Sequence, residues 1–187
     1  MGNLILVKHA MPQVDVETPA HEWRLGPVGV AGAGTIATTL GKRYAPSRIV
    51  ASQEPKATQT GAIIAERLHL PLVMAEGLHE HDRRAIRFLA ADVFAARMRD
   101  LFAHPDTAVF GSESAQAAIA RFTEAVDRIT NEDSGDVVIV SHGTVIALFV
   151  GARADVDAAQ LWATLGLPSY VALELPSHRI IEIVAAV

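Results

Sequence analysis

The chain has 187 residues, enough to bury a full hydrophobic core, and is expected to form one domain over 1–187. Half of its residues are hydrophobic and a fifth are charged, which is ordinary globular usage. Sixteen basic residues against twenty-one acidic ones give a formal charge of -5 and no general basic footprint for nucleic acid, while the lack of cysteine excludes disulfides, thiolate metal sites and a cysteine nucleophile.

Leu4-Ile5-Leu6-Val7 predicts a short buried strand over 4–8 that runs into Lys8-His9-Ala10-Met11-Pro12. A buried strand ending on a cation and an imidazole delivers both to the carboxyl edge of a sheet, where open α/β folds place their ligands. Residues 10–27, with Pro12, Pro19, Gly26 and Pro27, read as a long loop, a kind of segment that is usually functional or disordered. The pattern then predicts a helix over 28–44, a strand over 48–52, a helix over 56–69 and a strand over 72–75. Loops at 77–84 and 104–112 flank a helix over 85–103, and a further helix covers 113–131. The mostly helical block 85–131 is expected as a cap over the sheet edge. Val137-Val138-Ile139-Val140 predicts a strand over 137–141 that ends on Ser141-His142-Gly143, a second histidine delivered to a strand end. Helices over 143–152 and 157–164 and a hairpin-like pair at 169–175 and 179–185 complete the chain. Strands alternating with helices predict an α/β fold, a three-layer α/β/α sandwich with a mainly parallel sheet.

A lone histidine after a strand is usually structural. Two of them in glycine- or alanine-flanked turns, where small neighbours allow close approach to the backbone, suggest one shared site. Ser52-Gln53-Glu54-Pro55-Lys56-Ala57-Thr58-Gln59-Thr60 follows the second strand. Pro55 suits the first turn of a helix, so Lys56 lies near the positive end of the helix dipole. A bound anion would compensate for that placement; the alternative is a solvated surface lysine.

Lys8-His9-Ala10, Ser52 through Thr60, Glu80 in Leu78-His79-Glu80-His81, Gly111-Ser112-Glu113-Ser114 and Ser141-His142-Gly143 occur in the order seen in the histidine phosphatase superfamily, the phosphoglycerate mutase-like group. The chain resembles that family from Leu4 to about Gly151. The resemblance implies a phosphoglycerate mutase-like fold and phosphomonoester hydrolysis, with His9 as the nucleophile that forms a phosphohistidine. It implies that His142 donates to the phosphoryl oxygens, that Lys8, Lys56 and Gly143 hold them, and that Glu80 protonates the leaving alkoxide and later deprotonates water. No metal and no cofactor are implied. The partner would be a small phosphorylated molecule or phosphate.

The family carries arginine where this chain has Lys8 and Lys56. Lysine keeps the charge but loses the planar fork that clasps a phosphate through two parallel hydrogen bonds. That leaves a catalytically weak, phosphate-binding pseudophosphatase as the alternative. A mutase is disfavoured, because the loop after His9 lacks the Glu-Ser and Trp-Asn elements that mark phosphoglycerate mutases. Ala10 stands for the family's glycine, and Gly61 replaces the alanine that ends the second motif.

Arg83 and Arg84 could bind a remote anionic group of the substrate, or be solvated. Arg24, His21 and Trp23 could close over a ligand, or anchor their loop. Glu113 and Ser114 read as a helix start with Ser112 as its N-cap. Two rival readings remain. Gly32-x-Gly34-x-x-Ala37 meets the loose dinucleotide fingerprint but follows a poor strand, and His79-x-His81 with Glu80 or Asp82 could ligate a metal but has no further ligand cluster. Met1-Gly2-Asn3 lacks the basic start and apolar stretch of a leader, and no apolar run reaches membrane-spanning length, so a cytoplasmic protein with no membrane or nucleic-acid partner is expected.

Overall fold

The protein is described by a computed structural model over residues 2–132 and 135–187; Met1, part of the start read above, lies outside them. The apolar runs form strands because their side chains alternate between two cores. Leu4 and Leu6 enter one and Ile5 and Val7 the other, all fully buried. The strands are β1 (Asn3–Lys8), β2 (Pro46–Ser52), β3 (Leu72–Ala75), β4 (Asp136–Ser141), β5 (Ser169–Glu174) and β6 (Ile180–Val184). They form a single sheet in the order β3-β2-β4-β1-β5-β6. The first four run parallel, β5 is antiparallel to β1, and β6 to β5.

The helices are α1 (Pro27–Arg43), α2 (Pro55–Leu68), α3 (Ala91–Ala103), α4 (Ala115–Asn131), α5 (Gly143–Ala154) and α6 (Ala158–Thr164). On one face of the sheet, α1 contributes Ile36, Ala37 and Leu40 and α2 contributes Ala57, Ile64 and Ala65. On the other face α4 contributes Phe122 and Val126, α5 contributes Ile146 and Phe149, and α6 contributes Leu161. This is the expected three-layer α/β sandwich. Every residue of α5 from Gly143 to Val150 is buried, so its first turn opens inside the protein, at the carboxyl edge of the sheet.

Three local expectations differ from the structure. The helix expected to start at residue 85 starts at Ala91. Upstream, Asp82 Oδ1 accepts from the Arg84 amide at 3.3 Å and the Arg83 carbonyl accepts from the Ile86 amide at 2.9 Å, so the segment closes turns instead. The cap of α4 is Ser114, whose Oγ accepts from the Ala117 amide at 3.1 Å, while Ser112 bonds back to the Asp82 carbonyl. Helix α4 itself lies on the face of the sheet, and only the stretch before it walls the sheet edge. Gly32, Gly34 and Ala37 fall inside α1 rather than in a strand-to-helix turn, in keeping with the poor strand read before them. The glycines of α1 serve packing: a Cβ on Gly29 would collide with the Met11 carbonyl.

Candidate active site

Strand register assembles the site. In the parallel pairing of β1 with β4, Lys8 lies opposite Ser141, so His9 and His142 emerge side by side and the His9 amide donates to the Ser141 carbonyl at 3.0 Å. Their ring centroids stand 5.2 Å apart, with 7% of His9 and none of His142 exposed. On the other side of β4, β2 ends at Ser52, whose Oγ lies 2.9 Å from His142 Nε2.

Hydrogen bonding fixes the tautomer of His9. His9 Nδ1 lies 2.8 Å from the Ala10 carbonyl oxygen, which can only accept, so Nδ1 carries the proton and Nε2 keeps its lone pair. Burial, reinforced by His142 and Lys56, pushes the His9 imidazole well below its usual range, against the Ala10 bond and Glu80. For His142, Ser52 Oγ can donate to Nε2 while it accepts from the Glu54 amide at 3.3 Å, and the Glu54 carboxylate near Nδ1 favours the proton there. His142 Nδ1 then carries a proton that is buried with no hydrogen-bond partner among the described residues; the Glu54 carboxylate stands 3.7 Å away. Burial first and Lys56 next hold His142 neutral. The pair therefore presents one free lone pair and one free donor.

The motif that opens α2 is a set of struts. Glu54 is its N-cap residue and Pro55 its first, and Lys56 is buried. Thr58 Oγ1 donates to the Ser52 carbonyl at 2.8 Å, Gln59 Oε1 accepts from the Leu25 amide at 2.8 Å, and Thr60 Oγ1 accepts from the Ala10 amide at 3.0 Å. The loop after His9 is thus tied at both ends to one helix turn. Lys56 Nζ donates to Glu54 Oε2 at 2.6 Å and to the Ala20 carbonyl at 2.7 Å. Glu54 carried no assigned role in the sequence reading, yet it is the nearest counter-ion of a predicted phosphate ligand.

Lys8 crosses over Gly143. A Cβ on that glycine would stand 2.9 Å from Lys8 Cε, so any other residue there would push the lysine aside from its present path. Lys8 Nζ reaches the Leu165 carbonyl at 2.6 Å, and burial lowers its pKa, partly opposed by Glu80.

Glu80 enters from the loop after β3. Its Oε1 accepts from the His81 amide at 2.9 Å; Oε2 accepts from Thr144 Oγ1 at 3.1 Å and from the Thr144 amide and Arg83 Nη2 at 3.3 Å. Burial alone would raise its pKa, but the Arg83 guanidinium and these donors hold it well below the usual carboxylate range. Glu80 thereby caps the first turn of α5, where a helix favours negative charge. Its loop is held by Arg121 of α4, which donates to the carbonyls of Gly77, His79 and Glu80 and to Glu113 Oε1, the last at 2.6 Å. Glu113 Oε1 also accepts from the Asp82 amide at 2.8 Å. The sequence reading assigned no role to Arg121.

Arg83 is turned inward between the rings of Phe94 and Phe110, 5.2 and 5.5 Å from their centroids, as well as onto Glu80. Arg84 pairs with Asp82 at 3.2 Å on the rim. A remote anionic group reaching Arg83 would compete with Glu80, whereas Arg84 bonds Asp82 through Nε alone and is otherwise half exposed. Trp23 lines the cavity beside His21, and Lys8, His9, Lys56, Glu80, Arg83, Arg84 and Gly143 all face it. His81 Nε2 is 2.9 Å from the Glu113 carbonyl oxygen, and among the described residues no group of three or more His, Asp or Glu could hold a metal ion. Among them, too, no helix is long and apolar enough to cross a membrane.

The chain matches the histidine phosphatase superfamily, branch 1, over residues 4–181. It belongs to that family. Solved histidine phosphatase-like structures share the fold at low identity. A mycobacterial glucosyl-3-phosphoglycerate phosphatase bound to VO3 is 24% identical with a TM-score of 0.81, the match covering 100% of both chains. An Entamoeba histolytica phosphoserine phosphatase in complex with 3-phosphoglyceric acid is 16% identical with a TM-score of 0.79, over 98% of this chain and 97% of that one. Bacillus stearothermophilus YhfR is 21% identical with a TM-score of 0.76, over 100% of this chain and 96% of that one. No curated protein sequence matches the chain. The family's fold and its phosphatase relatives support a phosphatase enzyme.

Proposed function

We propose that this chain hydrolyses small phosphomonoesters through a phosphohistidine on His9, without a metal. The carrying observation is the bond from His9 Nδ1 to the Ala10 carbonyl, which leaves Nε2 as a neutral nucleophile beside the orphan Nδ1 proton of His142. In the first step Nε2 forms a bond to phosphorus and the ester P–O bond breaks, its electron pair leaving with the alkoxide. His142 Nδ1–H, the Lys8 and Lys56 ammonium groups and the first turn of α5 at Gly143 balance the charge on the phosphoryl oxygens. The arriving dianion competes with Glu80 for the same positive charge. Its field raises the proton affinity of Glu80, which then carries the proton delivered to the leaving oxygen. In the second step Glu80 takes a proton from water, oxygen attacks phosphorus, the P–N bond breaks, and phosphate and free His9 are restored.

The binding-protein reading has one observation in its favour. Lys56 is engaged by Glu54 and Ala20, and Lys8 by Leu165, so neither ammonium is free before the anion arrives. A screen of phosphorylated metabolites, beginning with phosphoserine and 3-phosphoglycerate and run in excess chelator, separates the two. Hydrolysis that survives chelation, with an acid-labile phosphoryl group trapped on His9 by rapid quenching, is the expected result. Phosphate binding with no turnover above a His9→Ala control would instead establish the binding protein, and loss of activity restored by a divalent ion would establish a metallohydrolase.

A further inference from the structure

The candidate catalytic groups form only the floor of a cavity of about 420 Å³, a size that takes an organic ligand as well as a phosphate. Its walls above the floor are mostly carbon, with His21, Arg84 and Arg87 among them. Val14 and Trp23 come from the loop after His9, Phe88 and Leu89 from the turns before α3, Phe94 from α3 and Trp162 from α6. Trp23 and Phe88 face each other across two different segments with ring centroids 6.5 Å apart. The one polar atom of Trp23 is already used: its indole N–H donates to the carbonyls of Asp15 and Thr18, each at 2.9 Å. Of the charged groups near these rings, Arg83 is engaged by Glu80 and Arg84 pairs through Nε with Asp82, while Arg87 is exposed at the mouth. Val14 and Phe88 remain 53% and 52% exposed, so a ligand seated here would cover large apolar surface that water now touches.

We infer that the organic part of the substrate is apolar and ring-sized, packed against the joined rings of Trp23 and Phe88 while its phosphate lies against His9. This rests on the phosphatase reading and specifies it. A polyol, amino-acid or carboxylate leaving group would lose its hydrogen bonds to water against carbon walls, whereas a phenyl ring gains by burial and stacking.

The test uses the full chain and two esters whose leaving oxygens are both primary alkoxides, phenethyl phosphate and glycerol 3-phosphate. The expected kcat/KM favours phenethyl phosphate by roughly tenfold or more, the scale on which apolar pockets discriminate. Trp23→Ala and Phe88→Ala should each collapse that ratio by about the same factor. Equal turnover of the two esters, or a ratio preserved in both variants, overturns the inference. If neither ester is hydrolysed and the metabolite screen also shows no turnover above the His9→Ala control, the phosphatase reading fails. The chamber is then judged by calorimetric binding of phenethylphosphonate against 2-hydroxyethylphosphonate: tighter binding of the aromatic compound, lost in the two variants, supports it, and equal or absent binding overturns it.

Discussion

The floor and the walls of the cavity are built on opposite plans. The floor is polar and comes from the ends of regular elements: β1 delivers His9, the first turns of α2 and α5 deliver Lys56 and Gly143, and Ser52 and His142 from the ends of β2 and β4 lie buried behind them. Nearly every polar atom there is matched, so the positions of the reacting groups follow from sheet register. The walls come from the loop after His9 and the turns before α3, and are made of rings and aliphatic groups whose exact placement no ladder fixes. Chemistry that tolerates little displacement sits on strands, and selectivity sits on segments that can change without moving a strand.

The largest break in this comparison is His9→Ala. Turnover should fall on the order of 10⁴-fold or more, as for other nucleophiles that act as part of a unit, while the melting temperature stays near that of the wild type. A mild loss would mean that His9 belongs to packing rather than chemistry. Next comes Arg121→Ala, which removes the group that holds the Glu80 loop and leaves Glu113 unpaired in a largely buried place. Stability should drop by about 2–3 kcal/mol in denaturant titration, somewhat below the cost of breaking a fully buried pair, and kcat should fall more than KM rises. Unchanged kcat would show that the loop holds Glu80 without α4.

A smaller effect, and one of opposite sign, is expected from Glu54→Gln. Freeing Lys56 from its carboxylate should tighten inorganic phosphate binding by roughly tenfold in calorimetry, the scale of one charge-assisted hydrogen bond. No change would mean that Lys56 points away from the bound anion. The smallest effect is on pH dependence. Burial lowers the pKa values of His9, His142, His79 and His81, so the unfolded chain binds more protons than the folded one once pH drops below about 6.5. The contribution of these groups is therefore fully present above that range and is lost as pH falls through it. The melting temperature should be lower at pH 5.5 than at 7.5, and the imidazole nitrogen shifts of His9 and His142 should keep the neutral pattern through that interval.

The floor was largely legible in the sequence and the walls were not, for physical reasons. Leu4 to Val7 and Val137 to Val140 are buried on both faces, and such strands appear as unbroken apolar runs whose ends are easy to locate. His9 and His142 follow directly. Ile86, Phe88 and Leu89 also mimic a helical stripe, but local bonds at Asp82 and Arg83 close turns there, and both residues are tied to Ser112 and Thr144 far off in the chain. Arg121 reads as the wet face of an amphipathic helix, and only the folded loop supplies three carbonyls for it to grip. Glu54 gave no signal beyond lying two residues before a lysine. That pairing acquires meaning only when both side chains are buried beside His142.

The pairing of β1 with β4 joins the first strand of the chain to the fourth, with Leu4 opposite Val137 and Lys8 opposite Ser141. Neither histidine has a partner site until that long-range ladder closes, and contacts so distant in sequence form late and slowly. A chain emerging from the ribosome therefore carries no half-active nucleophile. During refolding, the return of phosphate binding should trail the return of helix and coincide with burial of the central strand, making the site its own reporter of a finished sheet.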